Sequence, residues 1–159
     1  MNKTYLLLGS NMGNSMQQLA GAGKYIERSI GKIVRQSAFY KTAAWGNTDQ
    51  PDFINQVVIV ETMLSAAECM NAILIIEKDM GRTRTVKNAP RVIDIDILFF
   101  NKDIIDTPLL KVPHPFIQER RFVLVPLNEL SPRFIHPVLA KTVSLLLKQC
   151  PDKLDVKKI

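Results

Sequence analysis

Apolar residues recur along this chain at two different spacings, and the changes from one to the other mark out its elements. Tyr5-Leu6-Leu7-Leu8 is a short apolar run closed by Gly9-Ser10-Asn11, the pattern of a buried strand entering a turn. From about Asn14 the apolar or small residues Met16, Leu19, Gly23, Ile26 and Ile30 fall at helical spacing, with Gly31 as the predicted stop. A second strand is predicted over 32–40, and 41–52, with Gly46, Asn47, Asp49 and Pro51, reads as a loop. Residues 53–62, which include Val57-Val58-Ile59-Val60, are a third strand. Ser65-Ala-Ala-Glu68 matches a capping box and opens a helix predicted to end at Gly81. Met70, Ile73, Ile76 and Met80 share one side of that helix, with Glu77 at the border of the stripe, where a carboxylate needs a partner. A fourth strand is predicted over 92–100.

The resulting order, β-α-β-β-α-β, predicts a split βαβ: an α+β, ferredoxin-like antiparallel sheet of four strands. Both helices are expected on one face, which leaves the other face free for a ligand. Six of the nine prolines lie between 108 and 137, so an irregular segment is expected after Asn101. A short helix is predicted from Pro115 to Arg120, and an amphipathic one over 142–149. Without repeats or a linker, residues 1–159 read as a single domain.

The chemistry concentrates in Arg91-Val-Ile-Asp-Ile-Asp-Ile-Leu98. In a strand Ile93, Ile95 and Ile97 face the core, and Asp94 and Asp96 point together to the opposite side. Two such carboxylates repel unless a cation lies between them. Arg82, Arg84, Lys87 and Arg91 lie just upstream. Carboxylates suited to Mg²⁺ beside cations suited to phosphates describe a metal-bound anionic substrate such as a nucleoside triphosphate. The net charge of +6 agrees with an anionic partner. The apolar start is too short for a signal peptide, and no apolar run has the length of a membrane span, so neither is expected. Cys69 and Cys150 read as buried free thiols of a reducing cytoplasm.

No GxxxxGK[ST] loop is present, so side chains must hold the phosphates, with Arg82, Arg84, Lys87, Arg91 and Arg120 as candidates. His114, between two prolines, is a candidate phosphate donor or a structural hydrogen-bonder. Trp45, Phe53, Phe116 and Phe122 are aromatic residues in or beside loops, and Asn55 shares a strand face with Phe53. Two rings with a polar group at the edge could hold a flat heterocycle.

Six blocks together resemble the 6-hydroxymethyl-7,8-dihydropterin pyrophosphokinases of folate biosynthesis. They are Leu8-Gly-Ser-Asn-Met-Gly13, Phe39-Tyr-Lys-Thr42, Asp49-Gln-Pro-Asp-Phe-Ile-Asn55, Ile76-Glu77 with Gly81-Arg82, Pro90 to Leu98, and Val112-Pro-His-Pro115 leading to Arg120-Arg-Phe-Val-Leu124. The resemblance implies transfer of pyrophosphate from ATP to the pterin's hydroxymethyl group, with release of AMP. It places two Mg²⁺ ions on Asp94 and Asp96. ATP falls to Glu77, Arg82, Lys87, Arg91, His114 and Arg120, and transfer to Arg82, Arg84, Arg91 and Arg120 beside the aspartates. The pterin falls between Phe53 and Phe122, with Thr42, Ala43, Trp45 and Asn55 at its edge. The chain departs from the family pattern at Ala44, Leu74, Asn88 and Ala89. The expectation is a cytoplasmic, monomeric enzyme acting on small molecules, with no nucleic-acid or membrane partner. An RNA-binding module would need stacking aromatics that the third strand lacks, and a nucleotidyltransferase would release pyrophosphate instead of AMP.

Overall fold

The computed structural model describes residues 1–43, 51–81 and 92–159. Its centre is β1 (Asn2–Ser10), paired antiparallel on one side with β5 (Asp94–Phe100) and on the other with β4 (Phe53–Thr62). The third strand has the predicted bounds. β1 is longer than predicted, because Gly9 and Ser10 continue the ladder instead of turning. β2 (Gly31–Gln36) and β3 (Tyr40–Thr42) both lie along the outer edge of β4, and β8 (Val156–Lys158) extends the sheet beyond β3. β6 (Ile105–Asp106) and β7 (Lys111–Val112) pair apart from it as a two-stranded sheet.

The predicted second strand is thus two strands. Ser37 interrupts it by side-chain bonding: its Oγ accepts the Val57 N–H at 3.0 Å, a place a ladder carbonyl would otherwise fill. The first helix stops at its Ile30 cap, immediately before Gly31 as predicted. Gly31 itself begins β2, where a Cβ would lie 1.9 Å from the Glu61 carbonyl oxygen, so only glycine fits that close approach.

Helices α1 (Ser15–Ser29) and α2 (Ala66–Asp79) cover one face, as expected. Asn14 caps the first, and the Ser65–Glu68 capping box is formed at the start of the second. Leu6, Leu8, Val58, Val60, Ile95 and Ile97 meet Leu19, Ile26, Ile73 and Ile76 in this layer.

The opposite face is not free. Helix α3 (Arg121–Leu130) and the predicted C-terminal helix, α4 (Val143–Gln149), cover much of it. Val123, Leu124, Leu127 and Leu130 pack there on Tyr5, Leu7, Val57, Ile59, Leu98 and Phe99. Each such side chain contributes about 1.5–3 kcal/mol on burial, which decides the matter against an open face. The predicted 115–120 helix is reduced to a 3-10 turn, Ile117–Glu119. His136 is buried at the start of the 137–139 turn, where its Nδ1 accepts the Val138 and Leu139 N–H groups. Among the described residues no helix is long and apolar enough to cross a membrane.

Since α3 owes its place to this apolar contact, Leu127→Ala is expected to lower unfolding stability by about 2–5 kcal/mol, measured by denaturant titration. A loss below about 0.5 kcal/mol would contradict the packing described.

Candidate active site

The apolar layer under α3 and α4 reaches Leu7 and Val57, and beyond it, at one end of the same face, the strand registers bring the candidate residues together. Gly9 is paired with Asp94 on one side and with Asn55 on the other, and Asn55 is paired in turn with Tyr40. The next rows carry Asp96 beside Leu7, and Phe53 beside Thr42. Directly paired antiparallel residues share a face. Asp94, Asp96, Phe53, Asn55 and Thr42 therefore project to one side, two strand spacings (roughly 10 Å) separating the aspartates from Asn55.

The row depends on Gly9 lacking a side chain. A Cβ there would lie 2.6 Å from Asn55 Oδ1 and 3.8 Å from the Phe53 ring. Asn55 and Thr42 are buried, and Asn55 Nδ2 and Thr42 Oγ1 have no hydrogen-bond partner among the described residues. An unsatisfied buried polar atom costs about 1–3 kcal/mol, so a donor and a hydroxyl left open side by side describe a place prepared for a polar ligand edge. Phe53 and Phe122 are both half-buried, Phe122 standing at the start of α3.

Asp94 and Asp96 are half-buried and flank Ile95, whose N–H donates to Glu77 Oε2 at 2.8 Å. Glu77 is thus buried against the backbone of the aspartate strand, which supplies the partner the sequence demanded. Among the described residues no cluster of three or more metal-binding side chains occurs. Two carboxylates on one face nevertheless fit Mg²⁺, which takes one or two carboxylates and completes its shell with water and substrate phosphate.

His114 is fixed beside this strand by its N–H, which donates to the Leu98 carbonyl at 3.0 Å. Its Nδ1 accepts the Phe116 N–H at 3.2 Å. The imidazole pKa is pushed down to about 4, by burial first and by the Arg120 charge second, with Asp94 partly opposing both. A neutral ring with Nδ1 accepting carries its proton on Nε2, and so is a donor. Arg120 lies between two rings, 5.0 Å from the Phe116 centroid and 5.9 Å from that of Phe122. Phe116, whose ring is also 6.0 Å from that of His114, therefore links the histidine to the arginine. The sequence had marked Phe116 only as a loop aromatic.

Ala43 is exposed at the end of β3. Arg82, Arg84, Lys87, Arg91 and Trp45 lie outside the described residues. The structure brings together the two aspartates, Glu77, His114 and Arg120 on one side. Phe53, Asn55 and Thr42 gather on the other, and Phe122 stands next to Arg120.

Comparison with known proteins identifies the family. The sequence model of the 7,8-dihydro-6-hydroxymethylpterin-pyrophosphokinase family matches residues 5–132. The chain belongs to that family. A 2-amino-4-hydroxy-6-hydroxymethyldihydropteridine pyrophosphokinase of Aquifex aeolicus is 40% identical over 89% of this chain and 88% of its own length. The protein of that name from Methylorubrum extorquens is 41% identical over 85% of this chain and 86% of its own. The chain also matches the Folic acid synthesis protein FOL1 of Dictyostelium discoideum, at 38% identity, but spans only 23% of it. Among solved structures, wild-type Plasmodium falciparum HPPK-DHPS, crystallised with pterin and p-hydroxybenzoate, superposes with a TM-score of 0.77 at 19% identity. It matches 99% of this chain and 46% of its own, a likeness of fold.

Gly9→Ala tests the row directly. The new methyl must displace the Asn55 amide, so pterin affinity is expected to fall about ten-fold or more in calorimetric titration, with binding of a Mg²⁺–ATP analogue little changed. Unaltered pterin affinity would show that Asn55 is not held against Gly9 for the ligand.

Proposed function

We propose that this end of the face is where the chain carries out the reaction of its family: transfer of pyrophosphate from ATP to the hydroxymethyl group of 6-hydroxymethyl-7,8-dihydropterin. The hydroxymethyl oxygen attacks the β-phosphorus, the bond from that phosphorus to the α,β-bridging oxygen breaks, and AMP leaves. The observation that carries the assignment of sides is the row Asp94–Gly9–Asn55. It sets a carboxylate pair suited to metal-bound phosphates next to a buried, unsatisfied amide suited to a heterocycle edge.

Asp94 and Asp96 are the residues that would hold two Mg²⁺ ions, whose charge would offset that of the phosphates. Glu77, through the Ile95 N–H, keeps the two aspartates on one side of an edge strand and borders the nucleotide. His114 donates from Nε2 to a phosphate oxygen. Arg120 adds positive charge close to Phe122, where the two substrates meet. Arg82, Arg84, Lys87 and Arg91 belong by their place in the sequence to the same phosphate-binding set. The pterin lies between Phe53 and Phe122, with Thr42 Oγ1 and Asn55 at its edge and the backbone at Ala43 and Trp45 beyond. Stacking and burial contribute about 1–3 kcal/mol per ring.

The strand order β5-β1-β4, with β2 and β3 on the outer edge, supports a ferredoxin-like reading of residues 2–100, and the two apolar layers on one sheet support a single domain. Two buried free cysteines support a cytoplasmic setting.

Incubation with ATP, Mg²⁺ and the pterin should yield AMP as the nucleotide product; pyrophosphate release would point to nucleotidyl transfer instead. Asp94→Asn and Asp96→Asn should each lower turnover by at least ~10³-fold, the loss of a few kcal/mol of transition-state stabilisation, with the fold intact by circular dichroism. Phe122→Ala should weaken pterin binding about ten- to a hundred-fold while ATP-analogue affinity barely changes. Near-normal turnover in either aspartate variant, or equal loss of both ligands in the Phe122 variant, contradicts the assignment.

A further inference from the structure

The helix that carries Phe122 begins without a cap of its own. Arg120 precedes it in an extended conformation and makes no side-chain capping bond. The N–H of Arg121 is one of the donors that every helix start leaves unmatched. It is matched here from far along the chain: Asp152 Oδ2 accepts it at 3.0 Å, across a separation of 31 residues. The other oxygen, Oδ1, accepts the Leu154 N–H at 2.9 Å, so the carboxylate is fixed at both ends, and the residue is only 8% exposed. A carboxylate at this place also complements the positive end of the helix dipole.

The segment that supplies Asp152 continues into β8, where Val156 pairs with Thr42 and Lys158 with Tyr40. One tail therefore touches both walls assigned to the pterin, the start of α3 on one side and β3 on the other. The family match ends at residue 132, so this tail lies outside it.

We propose that Asp152 is a positioning residue for the pyrophosphoryl transfer: by holding the N–H between Arg120 and Phe122, it sets the direction in which both side chains enter the site. The inference rests on the reading that Arg120 and Phe122 line that site. Asp152 itself touches neither substrate.

Two variants remove the bond from opposite ends. Asp152→Ala removes the acceptor. Arg121→Pro removes the donor in a position where proline suits a helix start, and Arg120 at φ −127°, ψ 105° already has the extended conformation that a following proline requires. At a temperature well below melting, each variant is expected to raise the pterin dissociation constant and lower kcat by about ten-fold, the size of a lost cap. The double variant should be no worse than either single one, because the same bond is removed. Asp152→Asn, whose one amide oxygen can accept from Arg121 or from Leu154 but not from both, should recover part of the loss. If folded Asp152→Ala or Arg121→Pro binds pterin and turns over like the parent, with only a lower melting temperature, Asp152 is a stabilising cap and the proposal falls. Phe122→Ala, titrated in parallel, separates the two failures. If it too binds pterin normally, the reading of the wall is wrong and the positioning role falls with it.

Discussion

The arrangement depends on a single constraint at the end of the central strand. β1 is bonded on both edges, so whatever stands at Gly9 lies between Asp94 and Asn55. A side chain there would fill the space into which the Asn55 amide projects. Glycine leaves room for the Asn55 amide at the row where the aspartate strand and the Asn55 strand share a common neighbour. The proposed reaction uses this separation: phosphates at the carboxylates, a flat ring at the amide, and the reacting oxygen between them. Two strand spacings, roughly 10 Å, are a span that a pterin and a triphosphate can bridge.

Around that row the structure fixes each component through backbone atoms. Glu77 accepts the N–H between the two aspartates. His114 is tied to the Leu98 carbonyl of the same strand, and the Phe116 N–H sets its tautomer. On the far side Tyr40, paired with Asn55, donates its hydroxyl to Glu129 of α3 at 2.6 Å, which joins β3 to the helix that carries Phe122. Burial, together with that bond and the Glu129 charge, pushes the tyrosine pKa up to about 12, so the donor keeps its proton across the physiological range. Helix α3 is held by its apolar side chains, by Tyr40 near one end and by Asp152 at the other.

Much of the first hundred residues was legible because their signals are local. The bounds of β4 follow from a β-branched run, and the start of α2 from Ser65 and Glu68, both read within a few residues. The alternation of Asp94 and Asp96 with isoleucine placed the carboxylates on one side of a strand before any coordinates. Helix α3 escaped because its signals are not local: its cap is Asp152, and Pro126 within it reads as a breaker although it only removes one donor. The same distance hid the covering of the second face. Gly9 was taken for a turn residue, since a glycine's role beside a neighbouring strand shows only once the register is known.

The central claim is that metal-bound phosphates and pterin meet across one row of the sheet, and a distance tests it most directly. With Mn²⁺ replacing Mg²⁺ in a complex with a non-hydrolysable ATP analogue, paramagnetic relaxation of the bound pterin's protons reports their separation from the metal. Asp94 and Asn55 two strands apart predict protons within roughly 10 Å of the ion. Relaxation that places the pterin beyond roughly 20 Å, four strand spacings away, would contradict the account.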